Sequence, residues 1–198
     1  MSSPEIRCAA PHEAPALARL IAESFAPLPV TNWLVEDETE RVDALTGQFE
    51  IIVEHAIKYG DVYVVGDEDR PTGVAVWFPP HQIPDMDDYD ERLAAAAGPH
   101  TPRFVELDAA MHDAHPDGPP HAYLVFMAVR ATDRNHGIGA ALLDAHHGKL
   151  DASGTPAYLE ASGLRSRELY LRHRYVDQGS AYGPAGINEF RPMWRDAA

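Results

Sequence analysis

The apolar positions in the first part of the chain follow two spacings, one typical of strands and one typical of helices. Residues 5–10 predict a short strand. Over residues 11–25 and again over residues 36–59, apolar side chains recur at every third or fourth position, which predicts two amphipathic helices. The second helical pattern is the longest in the chain, and Gly60 marks its end.

A hairpin is predicted directly after this helix. Residues 61–65 and 73–78 are rich in β-branched and aromatic side chains, and the turn-forming residues 66–71 separate them. The two segments are therefore expected to pair as antiparallel strands.

Residues 79–120 differ in composition from the segments on either side. They contain several prolines, an acidic run over residues 85–91, and helical spacing at Phe104, Leu107 and Met111. We interpret them as a helical insertion between strands three and four. The insertion is either a solvated connector or a lid over a binding site, since long segments between elements often carry function.

The last part of the chain alternates again between strand and helix patterns. A strand, a helix and a strand in succession indicate a βαβ-like unit, and hence an α/β fold with a mixed sheet. The predicted elements are a strand over 121–130, a helix over 137–153, a strand over 156–161, a short helix over 166–174, and closing strands over 175–182 and 187–194.

Composition and charge narrow the function classes. With 198 residues, 45% of them hydrophobic, the chain is expected to form one domain over residues 1–198. The net charge of −15 argues against nucleic acid or an anionic membrane as a partner, because both require a basic face. A cationic small molecule remains compatible. Trp33, Trp77 and Trp194 are more typical of core or pocket packing than of stacking on nucleic-acid bases.

The beginning of the sequence and its cysteine content indicate a compartment. Cys8 is the single cysteine, so it has no partner for an internal disulfide. Residues 1–5 are polar and lack the basic and apolar regions of an export signal, and the longest apolar runs are far shorter than a membrane span. We therefore expect a soluble cytoplasmic protein.

A glycine motif lies between the strand over 121–130 and the following helix. Residues 134–140 read Arg-Asn-His-Gly-Ile-Gly-Ala, and a helix start leaves backbone N–H groups free to bind an anion such as a pyrophosphate. Alternatively, the two glycines only tighten the turn. A dinucleotide site is a further alternative, because Glu160 ends the next strand, but Leu142 occupies the position of the third glycine.

The residues around this motif resemble the acetyl-CoA signature of the GNAT superfamily. The matching pattern is Val129-x-x-x-x-Arg134-x-x-Gly137-x-Gly139-Ala140-x-Leu142-Leu143. Residues 158–162, together with Arg165, Tyr170, Arg172, His173, Tyr175 and the ending Arg191-Pro192-Met193-Trp194, are similar to later parts of that superfamily, particularly the branch related to puromycin N-acetyltransferase. The specific match covers about residues 121–195.

This resemblance implies a fold and a cosubstrate. The expected fold is a mixed sheet of about seven strands flanked by helices, with a splayed central strand pair that binds acetyl-CoA. The residues expected to bind it are Met127, Ala128, Val129, Arg134, Asn135, His136, Gly137, Ile138, Gly139, Ala140, Ser166 and Tyr170. The sequence departs from the family pattern at Asn135, Ser166 and Arg174.

The resemblance also implies direct transfer of an acetyl group to a primary amine of a small molecule. The Val129 N–H is expected to polarise the thioester carbonyl, and Tyr170 to protonate the departing thiolate. Glu160 is the first candidate for the base, ahead of His121 and Tyr123. Its alternative role is to position its neighbours or to bind Arg165. Ser162 lacks recognisable triad partners, so a covalent acyl-enzyme is not expected.

The histidines raise a metal hypothesis that the spacing does not favour. The best pairs are His112 with His115 and His146 with His147, which we interpret as exposed residues, so no metal is expected. His81 and the acidic run are expected to be solvated rather than to face a cationic ligand. We expect a monomer or a homodimer. The alternative function is a catalytically inactive CoA-binding sensor or partner-binding module of the same fold.

Overall fold

The computed structural model describes residues 4–198 and arranges seven strands of this part of the chain in one mixed sheet. The order across the sheet is β1-β2-β3-β4-β5-β7-β6, in which β4 and β5 are parallel and the other neighbours are antiparallel. The strands are β1 (Ile6–Cys8), β2 (Asp61–Asp67), β3 (Arg70–Phe78), β4 (Ala122–Val129), β5 (Ala157–Ala161), β6 (Val176–Asp177) and β7 (Arg191–Arg195).

Helices cover both faces of this sheet. They are α1 (Ala14–Phe25), α2 (Pro29–Leu34), α3 (Glu38–Tyr59), α4 (Tyr89–Ala97), α5 (Thr101–Ala114), α6 (Ile138–Ser153) and α7 (Leu164–Arg172). Short 3-10 turns lie at Pro11–Glu13, Gly98–His100, Ala131–Asp133 and Pro184–Gly186. Among the described helices, none has both the length and the apolar character needed to cross a membrane.

The mixed sheet with flanking helices confirms the predicted fold class, and helix boundaries differ from the prediction for local reasons. Helix α3 begins at Glu38 because the side chain of Asp37 caps it, accepting a hydrogen bond of 2.8 Å from the Thr39 backbone N–H. Helix α2 was not predicted. It is a short helix with Pro29 in its first turn, a position where the missing N–H of proline costs nothing.

The core has two parts, one on each face of the sheet. On the first face α1 and α3 pack on the strands, α5 adds Phe104 to the same cluster, and the rings of Phe49 and Phe126 lie 4.6 Å apart. On the second face α6 covers β2, β3 and β4, with Leu142 fully buried. Burying apolar area on both faces is what holds the two helical layers to one sheet.

A β-bulge in β4 determines which side chains face each layer. Val76 pairs with Phe126 and Trp77 pairs with Leu124, so that Val125 is an extra residue on β4. Before the bulge, Leu124 faces the second part of the core, whereas Phe126 faces the first part. One additional residue reverses the alternation of a strand, and bulges of this kind often lie beside functional sites.

The predicted closing strands are much shorter than expected. Instead of extending over 175–182 and 187–194, they are limited to β6 and β7, and β7 lies between β5 and β6. Between them, Tyr182 and Phe190 form an isolated bridge around the turn at Pro184–Gly186. Glycine and proline in this segment prevent a continuous ladder.

Residues 79–120 contain two packed helices rather than a fully solvated segment. Leu93 of α4 and Phe104 of α5 are fully buried in the first part of the core. Helix α4 packs against α3, and α5 packs against α4 and α2. The exposed parts of the segment include the acidic run at the start of α4 and residues 117–120.

The interpretation of His146 and His147 as exposed residues was wrong. Both are only 5% exposed, because α6 lies between the sheet and the C-terminal segment. The His146 ring stacks on Trp77 at 4.3 Å, and His147 Nε2 lies 3.0 Å from the Tyr175 hydroxyl oxygen. Burial lowers the pKa of His146 to about 4 and that of His147 to about 3.

These two imidazoles make the folded protein sensitive to mild acid. Their folded-state pKa values lie below the unfolded value of about 6.5, so the unfolded chain binds more protons as the pH falls below that value. We expect the free energy of unfolding to fall by about 1 kcal/mol per imidazole between about pH 7 and pH 5.5. Urea unfolding at several pH values measures this slope.

His146→Gln is expected to remove the part of the slope that comes from this imidazole, about 1 kcal/mol between about pH 7 and pH 5.5, since a glutamine does not titrate. The control is His81→Gln, because His81 is exposed. A slope that is the same in wild type and His146→Gln would contradict the explanation.

Candidate active site

The parallel strands β4 and β5 separate after a short paired stretch. They are paired from Ala122 with Ala157 to Leu124 with Leu159, and beyond this a groove opens with a cavity volume of about 480 Å³. The walls of the groove come from the end of β4, the first turn of α6 and the start of α7. The predicted cofactor residues that line it are Met127, Ala128, Val129, Arg134, Asn135, Gly137, Ile138, Gly139, Ala140 and Ser166.

Backbone N–H groups of β4 face this groove. The Arg130 N–H donates to the Thr72 carbonyl of the neighbouring segment at 2.8 Å. Hydrogen bonds alternate along an antiparallel strand, so the N–H groups of Val129 and Met127 point the opposite way, toward the groove. A ligand with carbonyl groups can accept from them there.

The turn before α6 is shaped for close approach to its backbone. Gly137 has φ +80° and Asn135 has φ +69°, a region that glycine and asparagine tolerate best. A Cβ on Gly139 would lie 3.1 Å from Leu169 of α7, whereas the space beside Gly137 is open. The free N–H groups of the first helical turn are therefore accessible from the groove.

Positive charge concentrates at the groove although the protein as a whole is acidic. Arg134, Arg165 and Arg172 line it, in a chain with a net charge of −15. Arg134 Nε donates to the Val129 carbonyl oxygen at 3.1 Å, and Arg165 Nη2 donates to Asn135 Oδ1 at 2.7 Å. Guanidinium groups beside a helix N-terminus form a site suited to phosphate groups.

Two of the predicted cofactor residues lie apart from the groove lining. His136 is exposed, with its Nδ1 3.2 Å from the Asp133 carbonyl oxygen. Tyr170 lines a second cavity instead. Ser166 lines both cavities and donates from Oγ to the Gly163 carbonyl at 2.9 Å.

The second cavity adjoins the groove and has a volume of about 420 Å³. Its lining is mainly apolar and includes the rings of Phe25, Phe49, Phe78 and Phe190. Strands β4 and β5 contribute one wall, and α3, α4 and α5 contribute another. The residues that line both spaces are Phe25, Leu28, Met127, Ser162 and Ser166.

Glu160 lies in the wall of the second cavity, at the end of β5. Its Oε1 accepts a hydrogen bond of 3.1 Å from the Tyr182 hydroxyl. Burial raises the pKa of Glu160, and the hydroxyl groups of the surrounding tyrosines, Tyr182 among them, limit the rise. Arg165 contacts Asn135, which leaves the predicted alternative pairing of Arg165 with Glu160 without support.

Tyr170, the candidate acid, and the two other candidate bases lie in different places. Tyr170 of α7 is 6% exposed, and burial holds its pKa well above the usual value, so that its hydroxyl stays protonated at neutral pH. Tyr123 also lines the second cavity. His121 instead packs between His115 and Trp194, with ring centroids 5.1 Å and 4.9 Å away, outside the cavity lining.

Sequence reasoning missed a polar network on the helical wall of this cavity. The Tyr89 hydroxyl donates to Asp108 Oδ2 at 2.7 Å, and Gln48 Nε2 lies 3.4 Å from Asp108 Oδ1. Burial raises the pKa of Asp108. The available signal was a carboxylate placed within the apolar helical stripe of Phe104, Leu107 and Met111.

Two further predictions concern the acidic run and the histidine pairs considered as metal ligands. His81, Asp85, Asp87, Asp88 and Asp90 are exposed, as expected for a solvated loop. A group of possible metal ligands does occur at Asp144, His147 and His173, whose ligand atoms lie within 4.8 Å of one another. It was not among the predicted pairs.

Comparison with known proteins adds to this geometry. No protein-family model matches the chain. A structure from Corynebacterium glutamicum, described as histone acetyltransferase HPA2 and related acetyltransferase, is 26% identical, with a TM-score of 0.75 over 100% of this chain and 98% of its own. An uncharacterised N-acetyltransferase of Schizosaccharomyces pombe is 28% identical over 181 residues, 83% of this chain and 71% of that protein. This chain has a GNAT-type fold and is an acetyltransferase.

The fold of this acetyltransferase is shared with more distant structures. The PaiA N-acetyltransferase of Thermoplasma acidophilum, whose structure contains coenzyme A, has a TM-score of 0.59 at 11% identity and covers 98% of this chain and 99% of its own. At that identity the likeness concerns the fold alone. An acetyltransferase of this type brings two ligands together, and here two cavities meet at Met127, Ser162 and Ser166.

Proposed function

We propose that the protein transfers an acetyl group from acetyl-CoA to a primary amine of a small molecule, by direct attack on the thioester. The observation that carries this proposal is the contact between two cavities of different character. One is a groove with free backbone donors and arginines, and the other is an apolar cavity that holds Glu160 and Tyr170. The group transferred would pass where the two spaces share a wall.

The groove residues fit acetyl-CoA in chemistry as well as in shape. The first turn of α6, with Arg134 and Arg165, would hold phosphate oxygens, because free N–H groups and guanidinium groups both donate to them. The N–H groups of Val129 and Met127 would donate to the amide arm and to the thioester. The proposed roles of Asn135 and Ser166 are consistent with their position in the lining.

Three groups of this chain would carry the transfer. The Val129 N–H would stabilise negative charge that develops on the thioester oxygen. Glu160 would accept a proton from the bound ammonium, directly or through water, and so release the neutral amine that attacks the thioester, since an alkyl ammonium has a pKa of about 10. Tyr170 would give its proton to the leaving sulfur, and the raised pKa of its hydroxyl keeps that proton available.

The departures from the family pattern are compatible with catalysis. Asn135 has φ +69°, so it supports the turn that glycine would otherwise form. Arg174 also has a positive φ and lies behind the groove, where it pairs with Asp151 at 3.3 Å. These observations favour an enzyme over the alternative, a catalytically inactive CoA-binding module.

The decisive assay follows release of free thiol from acetyl-CoA with a panel of primary amines. The panel includes puromycin-like aminonucleosides, which test kinship with that branch of the superfamily. Wild-type protein is compared with Gly137→Trp. A side chain there occupies the open space beside the helix start and strains a residue with φ +80°.

We expect Gly137→Trp to raise the KM for acetyl-CoA by about tenfold or more, because the indole would occupy the open space at the helix start that the phosphate groups would use. The matched control is Gly148→Trp on the exposed side of the same helix, which should leave the KM unchanged. Circular dichroism checks that both variants are folded. Acetyl-CoA binding without thiol release for any amine would favour the inactive module instead.

A further inference from the structure

We infer that Asp108 is a specificity residue that selects acceptors with a second cationic group, separated from the reacting amine by an apolar spacer. The inference rests on the proposed function and names the class of amine that the apolar cavity admits. It concerns a residue outside the acetyl-CoA signature, on the α5 wall of that cavity.

The carboxylate of Asp108 is held in a fixed orientation. The Tyr89 hydroxyl donates to its Oδ2 at 2.7 Å, and the Gln48 amide nitrogen lies 3.2 Å from the same hydroxyl oxygen and 3.4 Å from Asp108 Oδ1. Gln48 is 3% exposed, so its amide is confined by packing. A carboxylate offers about four acceptor positions, and two donors leave capacity for a ligand.

The surroundings of Asp108 leave its charge available to a ligand. Among the described residues that line the cavity, none is a lysine or an arginine. No lysine or arginine of the described lining therefore neutralises Asp108, and the basic side chain nearest to it along α5 is that of His112, which also lines the cavity. Burial of a carboxylate in apolar surroundings is costly, and a cationic ligand group would offset that cost.

The apolar lining of the cavity favours a ligand whose middle part is apolar. Phe49, Phe78 and Phe190 line it together with leucine, isoleucine and methionine side chains, and its volume of about 420 Å³ is typical of a small-molecule site. Glu160 lies on the sheet wall and Asp108 on the helical wall. A ligand that satisfies both carboxylates has an amine at each end.

Matched amine pairs test this inference. Each pair consists of a diamine and the monoamine of the same length: a series of α,ω-diaminoalkanes with n-alkylamines, and p-xylylenediamine with p-methylbenzylamine. We expect the best diamine to exceed its monoamine by about tenfold or more in kcat/KM. The reason is that a hydrogen bond between an ammonium and a carboxylate is stronger than one between neutral groups. In Asp108→Asn the two members of each pair should become equal, with the KM for acetyl-CoA unchanged.

Two further variants separate recognition from structure. Tyr89→Phe removes the donor that orients the carboxylate and should reduce the diamine preference without abolishing it. Asp113→Asn is the control, since Asp113 is exposed on the same helix. Equal use of diamines and monoamines by wild type would overturn the inference while leaving the acetyltransferase proposal intact.

Binding is also measured without turnover, by calorimetry on protein saturated with CoA. Diamine binding that exceeds monoamine binding, and that falls to the monoamine level in Asp108→Asn, supports the inference even if no acetyl transfer is detected. In that case the proposed function fails and the recognition role stands. Diamine binding that Asp108→Asn leaves unchanged overturns the recognition role.

Discussion

Tyr170→Phe is expected to lower kcat for acetyl transfer by about 100-fold, because the leaving thiolate loses its proton donor. The substitution removes one oxygen from a side chain that is 6% exposed, so the ring keeps its edge-to-face packing with Tyr175 at 5.8 Å. The KM values for acetyl-CoA and amine should change little. Steady-state kinetics at saturating concentrations of both substrates measure the effect.

Comparison with a matched variant distinguishes an acid from a packing residue. The pKa of Tyr170 is raised well above its usual value, so the wild-type kcat should show no decline up to about pH 9 from loss of this proton. Tyr175→Phe is the matched control, because it removes a hydroxyl that contacts His147 outside the cavity. A Tyr170→Phe enzyme with wild-type kcat would remove Tyr170 from the mechanism.

Glu160→Gln is expected to lower kcat/KM for the amine by about 100-fold near pH 7, because the protonated amine then lacks an acceptor for its proton. Burial raises the pKa of the carboxyl, so activity should be present above that pKa and lost as the pH falls through it. The defect should narrow as the pH approaches about 10, where the amine deprotonates unaided. A pH–rate profile of both enzymes shows this convergence.

Tyr182→Phe tests whether the hydrogen bond from Tyr182 to Glu160 sets the position of the acidic limb in the pH–rate profile. Its hydroxyl donates to Glu160 Oε1 at 3.1 Å and thereby favours the charged form. Without it, the acidic limb of the profile should move to higher pH. Glu168→Gln, at an exposed position of α7, is the control. If Glu160→Gln retained the wild-type rate and acidic limb, Tyr123 or water would become the better candidate for the base.

Local features of the sequence predicted the groove well. The glycines at 137 and 139, the strand before them and the amphipathic helix after them act over a few residues, and the predicted helix over 137–153 corresponds to the observed Ile138–Ser153. Backbone conformation at such a turn depends on neighbouring residues alone. Asn135 adopts a left-handed conformation in the same turn, which asparagine tolerates better than most residues do.

Features that depend on packing between distant segments were not predicted. Asp108 enters the cavity because α5 packs beside α4 and opposite the sheet, and its partner Gln48 lies 60 positions earlier. His146 and His147 are adjacent on α6 and point to different surfaces, both of which are covered: one by Trp77 of β3 and one by Tyr175. Nothing in the sequence around the two histidines indicates this double coverage.

The short ladder between β4 and β5 has a consequence for the energetics of the whole sheet. In the described part of the chain, these strands share register only from Ala122 to Leu124 on one side and from Ala157 to Leu159 on the other. An extended ligand with amide groups, bound between β4 and β5, would supply hydrogen bonds that the two strands do not make with each other. Ligand occupancy of this gap and the resistance of β4 and β5 to local unfolding would then be linked. Both would rise with ligand concentration.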